Sequence, residues 1–183
     1  LGLAFAEAYS NRGLVYIDNG QYDLAIRDFN KSLELDPDQA ITYNNRGTAY
    51  YSQGLSDMAL SDYEKAIKLN PALAIAYSNR GSVYLEKEQY DKAIIDFNKA
   101  LELDPDCFEA YLNQGICYRE KELFDLALTN FTKALTFNQQ MDHVYCCRGF
   151  TYYALKQYDL AIIDLNKSIE INDKFAESYI ARS

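Results

Sequence analysis

The three prolines of the chain, Pro37, Pro71 and Pro105, are spaced 34 residues apart. Five of the eight glycines keep the same interval: Gly13, Gly47, Gly81, Gly115 and Gly149. A fixed period in this range indicates a repeat array, in which each repeat is one supersecondary unit that buries its apolar face against its neighbours. The period therefore argues against a single globular core and supplies a common numbering for every other residue.

The repeats are numbered from position 1 to position 34, and they begin at Ala6, Ala40, Ala74, Phe108 and Asp142. Tyr occupies positions 4 and 11 in every repeat, and Ala occupies position 20 in every repeat. Apolar or small residues occupy positions 4, 8 and 11, and again positions 17, 20, 24 and 27. They recur every three or four residues, which is helical spacing. Each repeat is predicted to be two helices, with a turn at position 15 and a stop at the proline of position 32.

This pattern resembles the tetratricopeptide repeat family, a helix-turn-helix with the same residue types at positions 4, 8, 11, 20, 24, 27 and 32. The resemblance covers the whole chain and implies an all-α fold, an α-α superhelix built as a right-handed solenoid of antiparallel helix pairs. Because the chain begins without Met and both ends fall within a repeat, we expect a fragment of a longer protein. The expected array over 1–183 comprises the end of a truncated repeat at 1–5, repeats at 6–39, 40–73, 74–107, 108–141 and 142–175, and the first helix of a truncated repeat or cap at 176–183.

Composition excludes several classes of function. The formal net charge of -9 opposes binding to nucleic acid or to anionic membrane surfaces. No apolar run approaches the roughly 18 residues of a membrane span, and no secretory signal pattern is present. The four cysteines, at 107, 117, 146 and 147, lack a CxxC motif and are typical of reduced thiols. A cytoplasmic protein is expected.

Catalytic chemistry is not expected, since no Ser or Cys has a recognisable base and no glycine cluster could cradle a phosphate. No cofactor is expected either. His143 and Cys147 lie four residues apart on one helix face, but a structural zinc site normally needs four ligands, so no metal site is predicted.

Two columns of opposite charge change together. Position 7 holds Arg12, Arg46, Arg80, Gln114 and Arg148, and position 23 holds Asp28, Asp62, Asp96, Asn130 and Asp164. The fourth repeat alone has neutral amides in both columns, which favours pairing within each repeat. We predict an Arg–Asp ion pair between the two helices of each repeat and a Gln–Asn hydrogen bond in the fourth.

Position 6 is an asparagine column, made of Asn11, Asn45, Asn79 and Asn113. Asn is a mediocre helix former, so helix propensity does not explain four asparagines at one helical position. In the family that this chain resembles, position 6 lies on the wall of a concave groove, where stacked amides hold the backbone of an extended peptide. The alternative is that each Asn bonds only to its own or a neighbouring helix.

Other groove columns complete the predicted peptide-binding set, with Asn44 and Ser78 at position 5 and Tyr51, Tyr153 and Arg119 at position 12. The alternative for the two tyrosines is that they are ordinary exposed helix residues. Acidic residues outnumber Arg119 at the rim, so an extended neutral to basic segment is the expected partner. The family's acidic chaperone-tail ligands are disfavoured, because positions 2 and 5 hold no Lys or Arg and position 6 holds no Arg.

Three functions are therefore compatible with the sequence. The first is a protein interaction scaffold that binds an extended peptide through the asparagine column. The second is a structural or assembly module that self-associates or packs on another domain. The third is the substrate-recruiting arm of a larger enzyme.

Overall fold

The computed structural model describes residues 2–172. The predicted helix at 176–183 lies outside the described residues. Within the described part the chain forms ten helices and no strand, which confirms the all-α class. The chain divides into two compact units, Leu1–Pro105 and Asp106–Ser183, and each is described by itself.

The first unit holds three helix pairs: α1 (Gly2–Asp18) with α2 (Tyr22–Leu35), α3 (Ala40–Ser52) with α4 (Ser56–Leu69), and α5 (Ala74–Glu86) with α6 (Tyr90–Leu103). The second unit holds two: α7 (Phe108–Glu120) with α8 (Phe124–Phe137), and α9 (Asp142–Ala154) with α10 (Tyr158–Ile171). The two helices of a pair pack on each other, and within each unit the second helix of a pair packs on the first helix of the next. Within each unit the first helices of successive pairs also touch.

Helix α1 starts before the first full repeat. It begins at Gly2, so residues 2–5, which the repeat numbering assigns to the end of a truncated repeat, are helical. The segment contains no proline, so nothing in it interrupts the helix, and residues 2–5 add a turn to α1.

The glycine at position 8 sets how closely the two helices of a repeat approach. In the first four repeats the aromatic side chain at position 24 lies directly over it; a Cβ on Gly81, for example, would sit 2.8 Å from Cε1 of Phe97. Small residues at positions 20 and 27 surround the same ring, so that Ala93, Phe97 and Ala100 are fully buried. The repeated Gly, Ala and aromatic columns therefore form the core of each pair.

The turn inside each repeat depends on a left-handed residue at position 15. Gly20 and Gly54 have φ of 69° and 75°, and Glu88, Glu122 and Lys156 hold the same conformation at 56°, 58° and 61°. Glycine adopts this conformation without strain, whereas other residues do so at a cost of about 1–2 kcal/mol. The turn predicted at position 15 thus keeps the same backbone geometry in the repeats where that residue is not glycine.

Replacing Gly81 with Ala tests the close approach at position 8. Alanine normally favours a helix over glycine by about 1 kcal/mol. Here the added methyl group would overlap Phe97, so we expect the free energy of unfolding to fall by about 1–2 kcal/mol. Chemical denaturation followed by circular dichroism measures the change.

Ser61→Ala, on the exposed face of α4, serves as the control and should change the free energy of unfolding by less than about 0.5 kcal/mol. A Gly81→Ala protein as stable as the wild type would show that the position-8 contact does not limit packing.

Candidate functional site

The predicted ion pairs within each repeat are confirmed in the four repeats that carry Arg. The guanidinium of Arg80 donates from Nε and Nη2 to both carboxylate oxygens of Asp96 at 2.7 and 2.8 Å. The same two-bond geometry joins the other three pairs: Arg12 with Asp28, Arg46 with Asp62, and Arg148 with Asp164. The Asp side chains are almost completely buried, at 4–7% exposed. Each pair therefore joins the first helix of a repeat to the second.

Two tyrosines flank every one of these arginines. The Arg80 guanidinium carbon lies 5.8 Å from the ring centroid of Tyr77 and 5.9 Å from that of Tyr84, one turn before and one turn after it. These distances fit cation–π contacts. The hydrogen bonds of Asp96 raise the pKa of Arg80, and burial opposes the rise. The tyrosines at positions 4 and 11 thus lie on both sides of the guanidinium, a role that sequence reasoning missed although their spacing from position 7 was visible.

The arginine also reaches the preceding repeat. Nη1 of Arg46 donates to Oδ1 of Asn30 at 2.6 Å, and Nη1 of Arg148 donates to Oγ1 of Thr132 at 3.1 Å. Asn30 and Thr132 occupy position 25 of the second helix before it. One side chain therefore connects two helices of its own repeat and a third helix from the neighbouring repeat.

The fourth repeat has no charge at these positions. Gln114 and Asn130 are both buried, and Nδ2 of Asn130 donates to the carbonyl of Leu126 at 2.9 Å. The predicted Gln114–Asn130 hydrogen bond stays a prediction. Lys133 lies over the stacked rings of Tyr111 and Phe137 instead, 5.9 and 5.3 Å from their centroids.

The asparagine column of the first unit lies on adjacent first helices, and we call its three members, Asn11, Asn45 and Asn79, the amide wall. Nδ2 of Asn79 donates to Oδ1 of Asn44 at 3.0 Å, and Nδ2 of Asn44 donates to Oδ1 of Asn45 at 3.3 Å. Asn11 is exposed, and its amide makes no hydrogen bond to the described residues. Two members of the wall are thus linked through Asn44, while the first has its full hydrogen-bonding capacity available.

Asn44 and Ser78 differ from their predicted place on the groove surface. They are 3% and 4% exposed, so they cannot contact a ligand directly. The cause is the direction of position 5, which lies one residue before the amide wall and turns toward the helix junctions. Asn44 instead supports Asn45 and Asn79 through the two side-chain hydrogen bonds that it makes with them.

Apolar and acidic side chains surround the amide wall. Leu14, Ile41 and Ile75 are 39%, 49% and 44% exposed. Glu7, Asp18 and Glu86 are exposed at the ends of the same helices, and none of the groove columns in this unit holds Lys or Arg. Tyr51 is half-buried and bonded to Glu86, and its burial, together with Glu86, raises the pKa of its phenol. Tyr51 is therefore held in place by α5.

The second unit carries the remaining predicted site residues. Asn113 is half-buried on α7. Arg119 bonds Oε1 of Glu120 at 2.7 Å and also donates to the sulfur of Cys147. Tyr153 is 62% exposed and lies 5.7 Å from Tyr158, ring to ring. Arg119 is thus neutralised within its own unit.

His143 and Cys147 are brought together as their spacing predicts, with Nε2 and Sγ 3.7 Å apart. Over residues 2–172, no group of three or more His, Cys, Asp and Glu side chains is placed to hold a metal ion. None of the helices in that range combines the length and apolar character needed to cross a membrane.

Burial controls the chemistry of two thiols. It raises the pKa of Cys117 to about 12 and that of Cys147 to about 11, with Arg119 opposing the rise at Cys147. The folded state therefore favours the neutral thiols. Their contribution to stability is present below the ordinary thiol pKa and is lost as the pH rises toward these values.

Breaking one ion pair is expected to destabilise the chain. Arg80→Gln leaves the carboxylate of Asp96 buried without its partner, which should lower the free energy of unfolding by about 3 kcal/mol. Adding Asp96→Asn recreates the Gln and Asn of the fourth repeat and should recover most of the loss. Denaturation midpoints of the two variants measure both effects.

Lys99→Gln is the control, because it removes an exposed ion pair with Glu102 and should cost less than about 0.5 kcal/mol. Equal losses for the Arg80 single variant and the double variant would contradict the coupling.

The cysteines should differ in how fast they are alkylated. At about pH 8, Cys117 and Cys147 are protonated and buried, so iodoacetamide should modify the half-buried Cys107 first. Peptide mass spectrometry after timed labelling measures the order, and urea should make all four thiols reactive. Labelling of Cys117 or Cys147 as fast as Cys107 in the folded protein would contradict the burial argument.

Structural comparison finds the same fold in MamA, at a TM-score of 0.77 and 26% identity over 90% of this chain and 96% of that one. MamA from Desulfovibrio magneticus RS-1 gives a TM-score of 0.81 at 20% identity, covering 92% and 95% of the two chains. YrrB, described as a TPR protein with an unusual peptide-binding site, gives 0.75 at 23% identity, covering 100% and 99%. The last two likenesses show the fold alone. No curated protein matches the chain at a significant level.

Family models account for nearly all of the chain. A TPR repeat model matches 13–54, and tetratricopeptide repeat models match 40–73, 74–107, 108–141 and 142–175. The family supports a protein–protein interaction scaffold, and proteins of this family are typically non-catalytic. The chain belongs to the tetratricopeptide repeat family.

Proposed function

We propose that the chain binds an extended peptide segment along the first helices, with the amide wall as its main contact. The observation that carries the proposal is the hydrogen-bonding capacity left on the wall. Asn79 donates to Asn44, so its Oδ1 is available to accept from a peptide N–H. Asn45 accepts from Asn44, so its Nδ2 is available to donate to a peptide carbonyl.

This pattern suits a peptide backbone. An extended strand presents N–H and C=O groups in alternation, and amide side chains can pair with both without reading the ligand's side chains. Packed helices lie about 8–10 Å apart, and an extended chain advances about 3.3 Å per residue. Each first helix would therefore meet roughly two to three residues of the ligand. YrrB, which has the same fold, is described as having an unusual peptide-binding site, and this supports the proposal.

Side-chain preference would come from the surroundings of the wall. The half-exposed Leu14, Ile41 and Ile75 favour a ligand with aliphatic side chains, since their burial would contribute to binding. Glu7, Asp18 and Glu86 favour Lys or Arg in the ligand, because the wall columns of the first unit hold no compensating cation. We therefore infer an extended, neutral to basic, aliphatic segment as the ligand.

Within the second unit, we propose Asn113, Arg119 and Tyr153 as peptide contacts. Asn113 supplies a further amide, and the exposed ring of Tyr153 offers a large apolar contact of the kind that dominates interface energetics. Arg119 contributes little net charge because Glu120 neutralises it.

Replacing Asn11, Asn45 and Asn79 with Ala should weaken peptide binding roughly 10-fold or more, because each hydrogen bond contributes about 0.5–1.5 kcal/mol. The probe is an array of synthetic peptides that combine Leu or Ile with Lys, and fluorescence anisotropy measures affinity for those that bind. Matching peptides with Glu in place of Lys should bind more weakly.

Asn19→Ala, in the exposed turn after α1, is the matched control and should leave affinity unchanged. Circular dichroism shows whether each variant is folded. A folded triple variant with wild-type affinity would limit the asparagines to holding helices together and would refute the proposal.

A further inference from the structure

Polar side-chain contacts join α3 to α5 in the first unit. Nδ2 of Asn79 donates to Oδ1 of Asn44 at 3.0 Å and lies 3.5 Å from Oγ1 of Thr48. A further hydrogen bond joins the phenol of Tyr51 to the carboxylate of Glu86. The phenol is the donor, because a carboxylate has only acceptors. The same helix junction that carries two members of the amide wall therefore also holds a carboxylate in a fixed position.

The carboxylate of Glu86 keeps most of its bonding capacity. Glu86 is exposed, and the Tyr51 phenol is its polar partner among residues 2–172. The adjacent Lys87 bonds Oδ1 of Asp57 at 2.9 Å instead. A carboxylate offers about four lone-pair sites, of which the phenol occupies one. The negative charge of Glu86 is therefore not compensated by any described cation, and its remaining acceptor sites can bind a further donor.

The ends of two helices add to the negative potential of this pair. Glu86 is the last residue of α5, and Tyr51 is the last but one of α3. The carboxyl end of a helix carries roughly half a negative elementary charge, which stabilises a nearby cation. None of the groove columns in this unit holds Lys or Arg. The helix ends and the carboxylate thus favour the same kind of occupant, a positive charge.

The Tyr–Glu combination is specific to this junction. The same two positions hold Ile17 and Ser52 between α1 and α3, and Arg119 and Ala154 between α7 and α9. Neither of these combinations contains a carboxylate or an aromatic ring. The pair is therefore a feature of the second and third repeats and does not follow from the repeat pattern.

We propose that Tyr51 and Glu86 form a subsite for one cationic side chain of the bound segment. This inference rests on the proposed function, since the segment is the one that the amide wall binds. The guanidinium of Arg suits both residues, because it donates several hydrogen bonds to a carboxylate and interacts with an aromatic face. A metal ion does not suit them, because one carboxylate and a donating phenol supply too few ligands.

The position of Glu86 along its helix fits a side chain as the occupant. Asn79 and Glu86 are seven residues apart on α5, which is about 10 Å at 1.5 Å per residue. The proposed segment crosses the first helices at the amide wall, so its backbone stays beyond hydrogen-bond reach of Glu86. The long side chain of Arg or Lys and the side chain of Glu86 together bridge this separation. The wall thus binds the backbone, and the subsite selects a side chain.

Peptides that differ by one charge test the subsite on the full chain. The probes are fluorescein-labelled peptides of Leu and Ser with a single Arg, and matched peptides with citrulline, its neutral isostere, in place of Arg. Fluorescence anisotropy measures their affinities. Wild type should bind the Arg peptide about 10-fold more tightly than the citrulline peptide, because hydrogen bonds to charged groups are the stronger ones. Glu86→Gln should bind both peptides as wild type binds the citrulline peptide.

Tyr51→Leu removes both the ring and the hydroxyl that holds the carboxylate. This variant should lower the preference for Arg over citrulline to roughly 3-fold, because Glu86 remains but is no longer positioned. Circular dichroism shows whether each variant is folded. A folded Tyr51→Leu or Glu86→Gln protein that keeps the full preference would overturn the proposal.

Glu102→Gln is the matched control, because it removes the same charge from α6. Glu102 is 68% exposed there and bonds Lys99. This variant should keep the wild-type preference, and equal losses in Glu102→Gln and Glu86→Gln would overturn the subsite by showing a response to net charge alone.

The amide wall and the subsite fail in different ways. If wild type binds the Arg and citrulline peptides equally while the triple Asn variant binds both more weakly, the proposed function stands and the subsite is refuted. If wild type binds neither peptide, both proposals are refuted.

Discussion

The buried Arg–Asp pair is the interaction on which the arrangement of helices depends. A carboxylate as buried as Asp62 or Asp96 is costly unless its charge is matched and its oxygens are bonded, and Arg46 and Arg80 provide both with two parallel hydrogen bonds. The faces of the flanking tyrosines interact with the charge of the guanidinium. Since Nη1 of Arg46 then reaches Asn30, the same side chain fixes spacing within a repeat and between repeats.

Much of this organisation was predictable, because each structural position recurs in every repeat and its residue type can be compared five times. The proline and glycine period predicts the helix pairs, and the joint change to Gln114 and Asn130 predicts the Arg–Asp pairing from a single exception. The start of α1 and the burial of Asn44 were not predictable in the same way. Both depend on how neighbouring residues pack in the folded chain, which the residue types at one repeat position do not reveal.

The asparagine column shows most clearly what the sequence alone could not decide. Sequence reasoning offered two alternatives, peptide contact or bonding between helices, and the first unit contains features of both. Asn79 and Asn45 are linked through Asn44, while Asn11 makes no bond to the described residues. An amide has a donor and an acceptor end, so using one end to fix its orientation leaves the other available. The bonds between helices are therefore compatible with the proposed peptide contact.

The contacts between repeats and the proposed ligand contacts use different columns of the same helix. Positions 3, 7 and 10 meet the neighbouring repeat, whereas position 6 forms the amide wall of the first unit. Joining residues at positions 3 and 10 are buried in the second, third and fifth repeats, each of which packs on a described repeat before it. Most of these side chains are apolar, so their removal from water stabilises the contacts between successive repeats.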